Sequence, residues 1–148
     1  MSDKQKRLNM QTVQGKLCAE LYEKHGEQVL ETMSKIYGEY GEQLGLGLQK
    51  KSGSEGLEKA AAALQMMFDG AKLPAKAEFD GERIHWQGTL CPFGIENTKM
   101  EVCEAIMAMD LELTRKLVGD EVGARLCMEI EKSMARGEEM CKGTYYLK

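Results

Sequence analysis

Lys76-Ala77-Glu78-Phe79-Asp80-Gly81-Glu82-Arg83-Ile84-His85-Trp86-Gln87-Gly88 is where the chain changes its period. Polar and apolar residues alternate through 76–79 and again through 83–88, the repeat of a strand with one covered face. Asp80-Gly81 between them suits a tight turn, since glycine accepts the positive φ that such turns demand. The stretch is therefore predicted to be a β-hairpin, and the fold follows from what lies on either side of it.

Toward the amino terminus the period is helical. Met10, Val13, Leu17 and Leu21 recur at three or four residues, as do Val29, Leu30, Met33, Ile36, Tyr37, Tyr40 and Leu44, with His25-Gly26 dividing the run into two helices. Gly38, Gly41, Gly45 and Gly47 fall along the second helix, where each weakens it by up to about 1 kcal/mol relative to alanine. Either a neighbour approaches closely there, or the helix ends near Gly45. Lys50-Lys51-Ser52-Gly53-Ser54-Glu55-Gly56 reads as a polar turn, followed by an alanine-rich helix over 57–68 that Ser54 starts and Asp69-Gly70 stops.

On the carboxyl side, Met100, Cys103, Ile106, Met107, Met109, Leu113 and Leu117 predict a helix over 98–117. Val122, Ala124, Leu126, Met128 and Ile130 then alternate at period two and suit a strand, with a helix over 120–135 as the competing reading. Arg136-Gly137 makes a turn, and Lys142-Gly143-Thr144-Tyr145-Tyr146-Leu147 returns as the closing strand. The expected fold is α+β: amino-terminal helices, then an antiparallel sheet with one inserted helix. Residues 1–148 read as a single domain, with 1–70 mainly helical and 76–148 running hairpin, helix, hairpin.

The 148 residues are enough to bury roughly 68–70% of the unfolded chain's surface without covalent staples. With 43% hydrophobic residues, 30% charged residues and only two prolines, the composition excludes disorder and collagen. Twenty basic residues against 24 acidic ones leave a net charge of -4, which argues against nucleic acid as a partner. No apolar run approaches the roughly 20 residues that span a bilayer, and Met1-Ser2-Asp3-Lys4-Gln5-Lys6-Arg7 is not an apolar signal core, so a cytoplasmic protein without membrane contact is expected.

In that compartment five cysteines point to metal binding or catalysis before disulfides. Cys91 leaves the second strand, Cys103 lies in the first turns of the inserted helix and Cys141 opens the last strand, so the three can meet where helix crosses sheet. Three thiolates are a plausible set for zinc or another transition metal; small buried hydrophobes are the alternative. Cys127 faces away from the apolar row of its strand, and Cys18 reads as a packing residue. Asp110 stands two helical turns beyond Cys103 on the same side, and His85 lies on the strand face opposite Ile84 and Trp86. Either can move a proton in a catalytic reading. No G-x-S-x-G, Walker, dinucleotide or H-E-x-x-H pattern is present.

Cys91-Pro92-Phe93 after a strand, Cys103 and Asp110 along one helix, and Gly137-Glu138-Glu139-Met140-Cys141 before a final strand resemble the L-2-amino-thiazoline-4-carboxylate hydrolase-like family. The same sixty residues look like the 4-vinyl reductase and methanogen output domains. Glu138 stands where those patterns usually have aspartate. The resemblance implies an antiparallel sheet flanked by helices, with a ligand cavity and a cysteine-lined site. It suggests first a small-molecule-binding protein with Cys91, Cys103 and Cys141 holding a metal or lining the pocket. The alternative is a hydrolase that opens a thiazoline-type ring, with Asp110 or His85 handling the proton; the third is an interaction module without a ligand. A homo-oligomer is compatible with all three.

Overall fold

In the computed structural model, which describes residues 9–148, Asn9 caps the first helix. Its side chain accepts from the Thr12 backbone N–H while the Thr12 hydroxyl accepts from the Asn9 N–H, each at 3.0 Å. The polar start over residues 1–8 lies outside the described residues. Helix α1 (Met10–His25) ends at Gly26, and α2 (Gln28–Ser52) runs on to Gly53, whose left-handed φ of 65° caps it. The alternative that α2 stops near Gly45 is thus overturned. Gly41 lies on the Met109 carbonyl of the inserted helix, and a Cβ on Gly45 would stand 2.6 Å from the Leu113 carbonyl oxygen. The close approach compensates for the weak helix propensity of these glycines.

Helix α3 (Gly56–Gly70) follows, and Ser54 does not start it. That buried side chain instead donates to the Leu117 carbonyl at 2.9 Å, so a residue expected as a helix cap ties the α2–α3 turn to another helix. The hairpin consists of β1 (Ala75–Phe79) and β2 (Ile84–Gly88), paired antiparallel. Its turn spans 80–83: the Asp80 carboxylate accepts from the backbone of Glu82 and Arg83, and Gly81 takes a φ of 101°. Gln65 of α3 meets the outer edge of β1, accepting from Ala77 N–H at 2.9 Å and donating to Ala75 O at 3.2 Å. It occupies backbone groups that an edge strand otherwise leaves open.

Helix α4 (Met100–Val118) is the inserted helix. The expected strand from Val122 begins later, because Asp120–Gly123 closes one helical turn, α5. Gly119 N-terminal to it has a φ of 106°, and Gly123 presses on the Arg115 carbonyl of α4. The turn pulls Val122 and Ala124 out of the strand row, and β3 runs from Leu126 to Lys132. A 3₁₀ turn (Met134–Arg136) leads to β4 (Cys141–Leu147). The sheet order is β1-β2-β4-β3, antiparallel throughout, so the fold is α+β.

One sheet face carries Ala77, Ile84, Trp86, Tyr145 and Leu126, which pack with α3 and the second half of α4 into one apolar core. The first half of α4 contributes Val102, Ala105 and Ile106 to a second core with α1, α2 and the 91–95 loop. Helix α4 therefore belongs to both cores. The opposite sheet face carries Lys76, Glu78, His85, Gln87, Lys142, Tyr146 and Glu129, polar side chains at alternate positions.

Candidate functional site

The site is built on the turn before β4. Ser133 N–H donates to the Glu138 carboxylate at 3.0 Å, and Arg136 Nε donates to the same oxygen at 2.7 Å, so Glu138 clamps the turn at both ends. Gly137 between them takes a φ of 88°. These bonds hold the Glu138 carboxyl below its ordinary range, the Ser133 amide first. The Gly137-Glu138-x-x-Cys141 pattern thus sets the position of Ser133.

Ser133 sits between thiols. Its hydroxyl donates to Cys103 Sγ at 3.5 Å and also neighbours Cys141 Sγ, which accepts from the Met134 N–H at 3.5 Å. Cys91 is buried, and its ionisation is disfavoured by burial, by the Glu96 carboxylate and by Cys141. Cys103 is pushed up to about 11, chiefly by burial and further by Cys141, Cys91 and Asp110. Cys141 is raised by burial, with Glu96 and Glu138 adding to it. Ser133 therefore stands beside both Cys103 and Cys141, while Cys91 is linked to them through its charge interactions alone, and burial favours the neutral thiol at all three.

The second wall is the loop after Cys91. Gly94 N–H closes a turn on Cys91 O at 3.1 Å, and Asn97, at a φ of 57°, donates its N–H to Met134 O at 3.0 Å. The loop is tied directly to the turn that carries Ser133. Between it and α1 lies a groove of about 530 Å³ lined by Thr12, Lys16, Glu20, Glu96 and Lys99 among others. That volume is in the range of small-molecule sites. Glu96 belongs both to this groove and to the electrostatic surroundings of Cys91 and Cys141.

Asp110 lies further along the α4 face that carries Cys103. It is partly buried, and loss of solvation pushes its carboxyl up to about 6. Its field reaches Cys103 and the buried Tyr145, whose phenol burial and Asp110 together hold far above the ordinary value. Trp86, on the inner sheet face beside Gly143 and Tyr145, has a buried indole N–H with no acceptor among the described residues.

The structure does not bring His85 to this group. Its register puts it between the inward Ile84 and Trp86, on the outer face, where it pairs with Asp80 of its own hairpin. Its proton-transfer role therefore has no route to the thiols through the sheet. Cys127 is on that outer face too, its Sγ 3.9 Å from Arg125 O. Cys18 packs as expected, buried in the apolar cluster that also holds Cys91, and its polar neighbour is the Tyr37 hydroxyl. Burial raises both Cys18 and Tyr37.

The zinc expectation meets a geometric limit: among the described residues no group of three His, Cys, Asp or Glu side chains stands close enough to hold a metal ion. The thiols are neighbours without forming a ready coordination shell. The chain matches no protein-family model and no curated protein.

Ser133 and Glu96 were not legible as site residues. Ser133 reaches the thiols only because Glu138 folds the turn back, and Glu96 only because Asn97 anchors the loop. No spacing in the sequence encodes either contact.

Proposed function

We propose that the chain is a small-molecule-binding protein whose ligand contacts Cys91, Cys103 and Cys141. The observation that carries this reading is the Ser133 hydroxyl placed beside Cys103 and Cys141; the groove on the 94–99 loop lies next to this turn, although none of the three cysteines lines it. The resemblance to the L-2-amino-thiazoline-4-carboxylate hydrolase-like family supplies the ligand class: a small sulfur- and nitrogen-containing heterocyclic acid.

Binding is favoured over ring opening by the state of the thiols. A cysteine nucleophile needs a nearby base or positive charge to lower its pKa, whereas burial and carboxylates raise all three here. Asp110 is the remaining proton-transfer group for a hydrolase.

Calorimetric titration with 2-amino-thiazoline-4-carboxylate, with product analysis of the same mixture, tests the reading. Saturable binding without a ring-opened product is expected, lost in Cys141→Ser and kept in Cys18→Ser. Turnover that disappears in Asp110→Asn establishes the hydrolase instead, and absence of both binding and turnover overturns the ligand class. Elemental analysis after anaerobic purification reports separately on the metal.

A further inference from the structure

Seven large apolar side chains on α1 and α2 face water, and apart from Leu46 they fall into two sets: Met10, Val13 and Leu17 are 71%, 50% and 57% exposed, and Ile36, Tyr40 and Leu44 are 58%, 52% and 38% exposed. Their spacing is three and four residues on α1 and four and four on α2, so each set forms a row along one side of its helix. Gln14, beside the first row, accepts from the Tyr37 hydroxyl at 3.1 Å, and Tyr37 flanks the second, which sets the two rows side by side. Gln14 and Gln43 are the polar residues among them, and the nearest charges, Glu20 and Lys24 on α1 with Lys35 and Glu39 on α2, carry both signs. An apolar centre depleted of charge within a rim of mixed sign is the layout of a protein interface.

We propose that this α1–α2 face is a homodimer interface, occupied by a second copy of the chain. The fractional exposures correspond to about 600 Å² per copy, at the upper end of what a monomer leaves as one patch, and two such faces together reach the roughly 1,200 Å² at which stable interfaces begin. A two-fold contact needs the same patch on both copies. Two parallel apolar rows supply it, because the rows of one copy can lie across those of the other, and the mixed rim presents no like-charge field to an identical partner. Glu20 belongs both to the rim of this face and to the groove between α1 and the 94–99 loop, so the interface borders that groove.

Sedimentation equilibrium of the full chain at micromolar concentration tests this. The expected mass is twice the 16.6 kDa of one chain. Leu17→Glu and Ile36→Glu, each at an exposed position, should weaken association at least about tenfold while keeping the helical circular dichroism of the parent. Val13→Lys serves as the second variant if either fails to fold. Met66→Glu, equally exposed on α3 but outside the face, should leave the dimer intact. A parent protein that sediments as a monomer, or a dimer unmoved by Leu17→Glu, Ile36→Glu and Val13→Lys, overturns the proposal.

Discussion

Asp110 is the carboxylate whose surroundings oppose its charge most clearly. In the unfolded chain its carboxyl ionises near 3.8, and in the fold near 6, so the protonated form is the one the fold favours. Stability from this group is full below about pH 4 and falls as pH rises through 6. Asp110→Asn removes that loss, and urea unfolding should place the variant about 2 kcal/mol above the parent at pH 8 and close to it at pH 4. A variant less stable at pH 8 would mean that the ionised carboxylate is held by a favourable partner. The thiols allow a second check. Cys127 lies on the outer face while Cys91 is buried and Cys103 and Cys141 are raised, so alkylation at neutral pH should reach Cys127 first. Labelling followed by peptide mass mapping reads the order.

The α2–α4 contact depends on missing side chains. Gly41→Ala puts a methyl group into the Met109 carbonyl, and a packed backbone has nowhere to move, so a loss of about 2–3 kcal/mol is expected in denaturant unfolding. Gly47 on the same helix has open space around it, and Gly47→Ala should gain roughly 0.5–1 kcal/mol. Equal effects at the two positions would show that helix propensity, not the contact, governs these glycines. The hairpin, the three long helices before it, α4 and the closing strand were legible because each carries an unbroken period. The start of β3 was not, since Val122 and Ala124 continue the alternation of Leu126, Met128 and Ile130 while Gly119 and Gly123 fold them into a helical turn. Ser54 was misread for a similar reason: local pattern marks it as a cap, and a carbonyl 63 residues away takes its hydrogen bond.

At the level of the chain as a whole, two apolar cores meet along α4, and the thiols stand at the junction. Cys141 packs against the sheet core, and Cys91 and Cys103 belong to the helical one. The order of the cysteines along the chain led to the expectation that they meet at the helix–sheet crossing, because each follows or opens an element that ends there. The residues that make it a site, Ser133 and Glu96, depend on two turns bonded to each other through Asn97 and Met134. The central claim is that these sequence-distant thiols form one place for a ligand. Phenylarsine oxide tests it directly: its arsenic loses oxygen as water and forms two As–S bonds only where two thiols are close together. Mass spectrometry of the treated, folded protein should show one adduct bridging Cys103 and Cys141, absent from Cys103→Ser and Cys141→Ser and retained in Cys18→Ser. An adduct unaffected by Cys141→Ser, or no bridged adduct at all, would contradict it.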